Sequence, residues 1–189
     1  MKILASILAA GKCNRFGYPK FLSLYGNRPV IKILLEETAT VFEEVIVISG
    51  YYHDLIKEFV NVPVVFNSDY HEGMASSIRI ATFFAENNNF DGICIIPCDM
   101  PFVNRKMLKL LKDTFLSGSF DGVSFYKDDN PVVPALFSNN MFQELKKLKG
   151  DKGAKKLLLE IKNKYYIKGY EPYLIDIDTV EEYIKTVFT

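Results

Sequence analysis

The sequence predicts an α/β fold of three layers, a mostly parallel sheet with helices on both faces. Short, β-branched apolar runs alternate along the chain with longer segments whose apolar residues recur every three or four positions. The short runs are apolar throughout rather than at every second residue, the pattern of strands buried on both faces. Loops rich in glycine and charge follow several of these runs, where open α/β sheets place their ligand crevice.

The elements follow in order. "KILASILA" (2–9), "EVIVISG" (44–50), "VPVVFN" (62–67) and "GICIIPC" (92–98) read as strands, being short, apolar and bounded by turn residues. Between them, "VIKILLEETATVF" (30–42), "YHDLIKEFV" (52–60) and "ASSIRIATFFAEN" (75–87) carry the helical spacing. "VNRKMLKLLKDTFLSG" (103–118) is a further helix with a glycine stop. "DGVSFY" (121–126) and "VVPALFS" (132–138) read as strands joined through a "KDDNP" turn. Helices are expected over 139–148 and 152–164, a strand end at "DIDT" (176–179), and a closing helix with Asp178 or Thr179 as its cap.

The chain of 189 residues reads as one domain, 1–189, with no linker, repeat or low-complexity segment. Lysines plus arginines and aspartates plus glutamates number 23 each, so no global field draws it to nucleic acid or an anionic membrane. Any anion must be held by local geometry. No apolar run approaches the roughly 20 residues of a membrane span. The N-terminal "MKILASILAAGK" runs into a polar glycine loop without a cleavage signature, and reads as a buried strand rather than a leader. Cys13, Cys94 and Cys98 are too few and too unevenly spaced for a disulfide framework, which points to a reducing cytoplasm.

Four segments after strands carry candidate chemistry: 10–20, 67–77, 98–101 and 176–178. The first has Gly11 and Gly17 with Arg15 and Lys20, and lies outside both the P-loop and the dinucleotide patterns. Glycines let backbone N–H groups approach a phosphate, Arg offers a planar fork, and Lys a mobile point charge. The residues alone equally allow a surface loop of solvated cations, and Lys12 is read as such a solvated neighbour. Asp99 ends a buried strand and suits Mg²⁺, which takes one or two carboxylates plus phosphate oxygens; the bland alternative is a helix cap. Cys94 and Cys98 read as small strand hydrophobes. Gly73, Ser76 and Ser77 mark a helix start that offers N–H groups and hydroxyls to a ligand, or simply caps itself. His71 reads as an exposed loop histidine. Asp151 and Lys152, between two glycines, are candidates for binding an anionic second substrate. Asp176 and Asp178 share a side by the strand period of two.

In combination these blocks resemble the MobA-like nucleotidyltransferases. "LAAGKCNRFGYPKFL" is similar to that family's first signature, and "EGMASSI", "PCDMPFV", "GDKGAKKLL" and "DIDTVEEY" resemble later blocks of its molybdenum cofactor cytidylyltransferase branch. The likeness runs from residue 3 to about 183. It implies a Rossmann-like three-layer α/β/α fold and Mg²⁺-dependent transfer of CMP, or GMP, from the NTP to a phosphate of a molybdopterin-type cofactor. Ala9, Ala10 and Gly11 with Arg15 and Lys20 would hold the triphosphate, and Gly73 with Ser76 or Ser77 would face the base or ribose. Asp99 would bind Mg²⁺ with Asp178 as second carboxylate. "LAAG" in place of "LAGG" favours CTP over GTP. Cys13 and Cys98 depart from the family's small residues, and Phe16 stands for a frequent methionine. The resemblance suggests a molybdoenzyme or cofactor carrier as partner. Two other readings stay open: a transferase activating a sugar, polyol or other phosphorylated metabolite, and a nucleotide-binding module without turnover.

Overall fold

A computed structural model describes residues 1–150 and 153–187. The chain begins with β1 (Ile3–Ala9), followed by a short hairpin of β2 (Leu24–Tyr25) and β3 (Arg28–Pro29) and by α1 (Val30–Ala39). Then come β4 (Glu44–Ser49), α2 (His53–Phe59), β5 (Val64–Phe66), α3 (Met74–Asn87), β6 (Gly92–Pro97) and α4 (Arg105–Ser117). The second half holds β7 (Gly122–Lys127), β8 (Asn130–Ser138), α5 (Phe142–Leu145), α6 (Lys155–Glu160), β9 (Lys164–Ile167) and α7 (Val180–Val187).

All seven residues of β1 are buried, so this strand must lie between two helical layers. Its side chains divide by the strand period of two. Ile3, Ala5, Ile7 and Ala9 pack with Leu34 of α1, Ile56 of α2 and Met107, Leu111 and Phe115 of α4. Leu4 and Leu8 pack on the other face with Ile78, Ala81 and Ala85 of α3 and Leu157 and Leu158 of α6. The sheet runs β5-β4-β1-β6-β8-β7-β9. The strands β5, β4, β1 and β6 are parallel, β8 is antiparallel to both neighbours, and β9 is parallel to β7. The reversal comes from the predicted turn: Asp128 and Asp129 both adopt positive φ, 49° and 58°, which closes a tight hairpin between β7 and β8.

The first half matches the sequence reading within two residues at most element ends; the second half differs. The helix expected over 152–164 is confined to α6, and residues 164–167 form an edge strand instead. Leu157, Leu158 and Ile161 complete one buried stripe, after which Asn163 O accepts from Asp121 N at 2.8 Å and starts the pairing of β9 with β7. The helix expected over 139–148 shrinks to a 3₁₀ turn at Asn139–Met141 and the single turn of α5. No strand forms at 176–179; the segment is irregular, and Ile177 N donates to Asp99 O at 3.0 Å. No helix among the described residues is long and apolar enough to cross a membrane.

The helix caps release the acidic candidates from structural duty. Asn104 caps α4, its Oδ1 accepting from Lys106 N and Met107 N at 3.1 and 3.2 Å, so Asp99 is no cap. Thr179 and Glu182 form a capping box at α7: Glu182 N donates to Thr179 Oγ1, and Thr179 N to Glu182 Oε2. Asp178 is left free to turn into the site.

A tie between helices has a pH signature. The Glu37 carboxylate in α1 accepts from Arg105 N and from Arg105 Nη2, each at 2.6 Å, at the start of α4. These hydrogen bonds hold the Glu37 carboxyl below its ordinary value. A depressed carboxylate contributes stability above its unfolded value and loses it as pH falls through the lower folded value. Glu37→Gln is therefore expected to lower Tm near neutral pH. The gap from wild type should narrow as pH falls below the usual glutamate range and through the lowered folded value; thermal unfolding across that window checks this.

Candidate active site

A cleft of about 560 Å³ opens at the carboxyl ends of the strands, where an open α/β sheet binds ligands. Its floor is Ala9 at the end of β1 with Ala10 and Gly11 after it, one wall is Cys98 and Asp99 after β6, and the other is Tyr70, Gly73, Met74 and Ser77 after β5. Asp176 and Asp178 close one end from the segment before α7.

The loop after β1 is folded on Cys13, which adopts φ 56° and whose carbonyl accepts from Phe16 N and Gly17 N, both at 3.0 Å. Its sulfur accepts from Lys20 N at 3.5 Å, so the cysteine that departs from the family pattern helps to set the lysine. Lys20 Nζ lies 2.6 Å from Asp178 Oδ1 and 3.5 Å from Asp99 Oδ2, and its side chain is only 12% exposed. Arg15 Nη2 pairs with the other Asp178 oxygen at 2.9 Å. Two cations and two carboxylates separated by up to 163 positions in sequence thus meet at one point.

The electrostatics follow from this crowding. Burial pulls the Lys20 ammonium down, but the Asp178 hydrogen bond and the Asp99 charge outweigh it and hold it above its ordinary value. Asp178 is held below the ordinary carboxylate value, chiefly by that same hydrogen bond. Asp99 moves the other way: burial pushes it up, with Asp176 and Asp178 adding like charge, and Lys20 offsets only part of this. Burial also pushes the thiols of Cys94 and Cys98 up, consistent with unreactive packing residues.

The wall after β5 is organised by Asn67, which is fully buried. Its Nδ2 donates to Ser76 Oγ at 2.8 Å and to Ser77 Oγ at 3.0 Å, and its Oδ1 accepts from Asp69 N at 3.0 Å. Gly73 has φ 98° and ψ −172°, a conformation that demands glycine, and it turns the chain into α3. Ser77 lines the cleft, whereas Ser76 is fully buried and donates to Gly73 O at 2.8 Å. Ser76 therefore supports the wall instead of facing a ligand, a change from the sequence expectation. Asp151 and Lys152 lie outside the described residues. His71 is exposed at the cleft's rim, as expected.

Sequence reasoning passed over three contributors. Asn67 looked like any polar loop residue. Lys12, read as a solvated neighbour, lines the cleft and lies over the Tyr51 and Tyr70 rings. Gly50 reads in the sequence only as the end of a strand, yet a Cβ there would lie 2.5 Å from Ala10 O and 2.6 Å from Tyr70 Cβ. That close approach seats the floor against the wall. Gly50→Ala is expected to cost about 1–3 kcal/mol of stability through overpacking and to weaken nucleotide binding; denaturant unfolding and equilibrium binding check both.

Among the described residues no three metal-ligating side chains gather into a compact cluster. Asp99 and Asp178, bridged by one lysine, instead fit the mode in which Mg²⁺ takes one or two carboxylates and completes its shell from substrate phosphates.

A glycine loop after β1 that faces two cations and two carboxylates at the carboxyl edge of an α/β sheet suits the handling of a nucleotide's phosphates. The family model described as the MobA-like NTP transferase domain matches residues 5–164, and the chain belongs to that family. A probable molybdenum cofactor guanylyltransferase of Bacillus cereus is 28% identical over 187 residues, covering 95% of this chain and 92% of that protein. One from Bacillus anthracis is 28% identical over 195 residues, covering 97% and 95%. Among solved structures, Rv0371c of Mycobacterium tuberculosis superposes over 100% of both chains with TM-score 0.80 and 25% identity. Molybdopterin-guanine dinucleotide biosynthesis protein A of Archaeoglobus fulgidus has TM-score 0.72 over 98% and 97% of the two chains at 16% identity, and shares the fold.

Proposed function

We propose that this chain transfers a nucleoside monophosphate from an NTP to the phosphate of a molybdopterin-type cofactor and releases pyrophosphate. The single observation that carries the reading is Lys20, nearly buried and set between Asp99 and Asp178 beside the glycine loop. Phosphoryl-type transfer needs positioning and charge stabilisation and no protein nucleophile. An oxygen of the acceptor's ionised phosphate forms a bond to the α-phosphorus, and the bond from that phosphorus to the β-bridging oxygen breaks. Lys20 and Arg15 would stabilise the charge that collects on the departing pyrophosphate. Backbone N–H groups at Ala10 and Gly11 would hold the triphosphate, and Gly73 and Ser77 would face the nucleoside. Asp99 and Asp178 would hold Mg²⁺, which supplies Lewis-acid stabilisation of phosphate charge when bound.

For the donor we favour GTP, in keeping with the guanylyltransferase names of the relatives. A second reading, CTP, rests on Ala10 of "LAAG". Against a simple steric filter, the Ala10 methyl is lodged beside Gly50, 2.9 Å from where a Cβ there would stand.

The test incubates the protein with GTP, CTP or UTP, Mg²⁺, and either molybdopterin or a sugar phosphate, and follows pyrophosphate. Release with molybdopterin, abolished by chelation, is the expected result. Release with the sugar phosphate alone would overturn the acceptor. Nucleotide binding without release for any acceptor would make the chain a binding module.

A further inference from the structure

Three cations line the cleft, and they are not equivalent. Arg15 and Lys20 are both engaged by Asp178. Lys12 has no carboxylate partner among the described residues; its ammonium lies 5.7 Å from the Tyr51 ring centre and 5.8 Å from that of Tyr70. Those rings meet edge to face at 6.1 Å, and Tyr52 Oη donates to Lys12 O at 3.3 Å. An exposed lysine is thereby held in one place by aromatic faces that attract it without neutralising it.

The sheet order says which end of a nucleotide would meet it. The strand β1 lies between β4 and β6. Asp99 follows β6 and gathers Lys20, Asp178 and Arg15 on that side, so the triphosphate belongs there. Tyr51 follows β4 and Tyr70 follows β5, on the opposite side of β1. A nucleotide crossing the β1 loop from its phosphates would bring its base to the wall of Tyr70, Gly73 and Ser77, under the Lys12 ammonium.

An ammonium donates hydrogen bonds and accepts none. Guanine presents two adjacent acceptors, O6 and N7, which one ammonium can reach together, whereas cytosine has an amino donor at N4 beside the single acceptor N3 and offers no such pair on that edge. We propose that Lys12, held on the Tyr51 and Tyr70 rings, is a base-reading residue that selects guanine over cytosine in the donor nucleotide. This deepens the proposed function and rests on its nucleotide site, not on its acceptor.

The test is equilibrium binding without acceptor, using GTP, CTP and 2-aminopurine riboside triphosphate, a purine lacking O6, each with Mg²⁺. Wild type is expected to bind GTP about tenfold more tightly than either of the others. Lys12→Met should lose about that tenfold for GTP while CTP and the 2-aminopurine nucleotide stay within about twofold, collapsing the selectivity. Equal weakening of all three would make Lys12 a phosphate contact and overturn the proposal. So would a wild type that binds CTP as tightly as GTP, or a variant that leaves GTP unchanged. Failure of the transfer reading has a different signature: nucleotide selectivity intact, but no pyrophosphate released on adding molybdopterin.

Discussion

Lys20→Met is expected to lower kcat by about a thousandfold at saturating nucleotide, the scale of removing a preorganised charge donor from a phosphoryl or acyl transfer site. Lys20 pairs with both Asp99 and Asp178. Only 12% of its side chain is exposed, so water screens it little, and its charge acts where the leaving group would form. Methionine keeps the stem and removes the ammonium, which separates charge from packing. The loss should fall on kcat more than on nucleotide KM, because the interaction strengthens as pyrophosphate departs. Removing it also leaves two carboxylates facing each other, so Tm should fall as well. Lys20→Arg, which keeps the charge but cannot place a fork in a space shaped for one nitrogen, should recover part of Tm and little of kcat. Turnover of Lys20→Met within tenfold of wild type would remove Lys20 from the reaction.

What the sequence made legible and what it hid differ in kind. The strands β1, β4 and β6 could be read because burial on both faces makes them apolar at nearly every position. Arg15, Lys20 and Asp99 could be read because each sits on a segment that directly follows such a strand, where the fold puts its ligands. The edge strand β9 escaped because only Ile167 of its four residues is buried, and the preceding leucines and lysines look helical. The segment 174–178 alternates apolar and acidic residues from Ile175 on, as a strand would, yet it forms no strand. It is held by one backbone hydrogen bond to Asp99 and by the Lys127 ammonium on Leu174 O, at 2.6 Å, so only the folded chain shows why Asp178 reaches the site. Gly50 and Lys12 were hidden for a shared reason: each acts across a gap between loops that are distant in sequence, and no local pattern encodes such a gap. Asn67 acts within its own block, on Ser76 and Ser77, but only the turn at Gly73 brings them together. Ser76 shows the converse, a residue in the right block whose hydroxyl is taken up by Asn67 and Gly73.

Asp99→Asn should separate activity from stability, raising one curve while lowering the other. Transfer is expected to fall about a thousandfold or more, because the amide keeps the shape but loses the charge that Mg²⁺ and Lys20 would both use. Stability should move in the opposite direction. Asp99 is held above the ordinary carboxylate value by burial and by the nearby charges of Asp176 and Asp178. A raised carboxyl is a net cost to the fold at pH above its folded value, where both folded and unfolded forms are ionised. The cost fades as pH falls and is gone below the unfolded value. Near neutral pH, Asp99→Asn should therefore melt above wild type, and the two Tm curves should converge as the solution is acidified toward about pH 3. Such a trade is expected where a site retains like charges for function at the expense of the fold. A variant that melts below wild type near neutral pH would show that Asp99 instead stabilises the fold through Lys20. One that keeps transferring would move the metal elsewhere, with Asp176 and Asp178 the carboxylates left in the cleft lining.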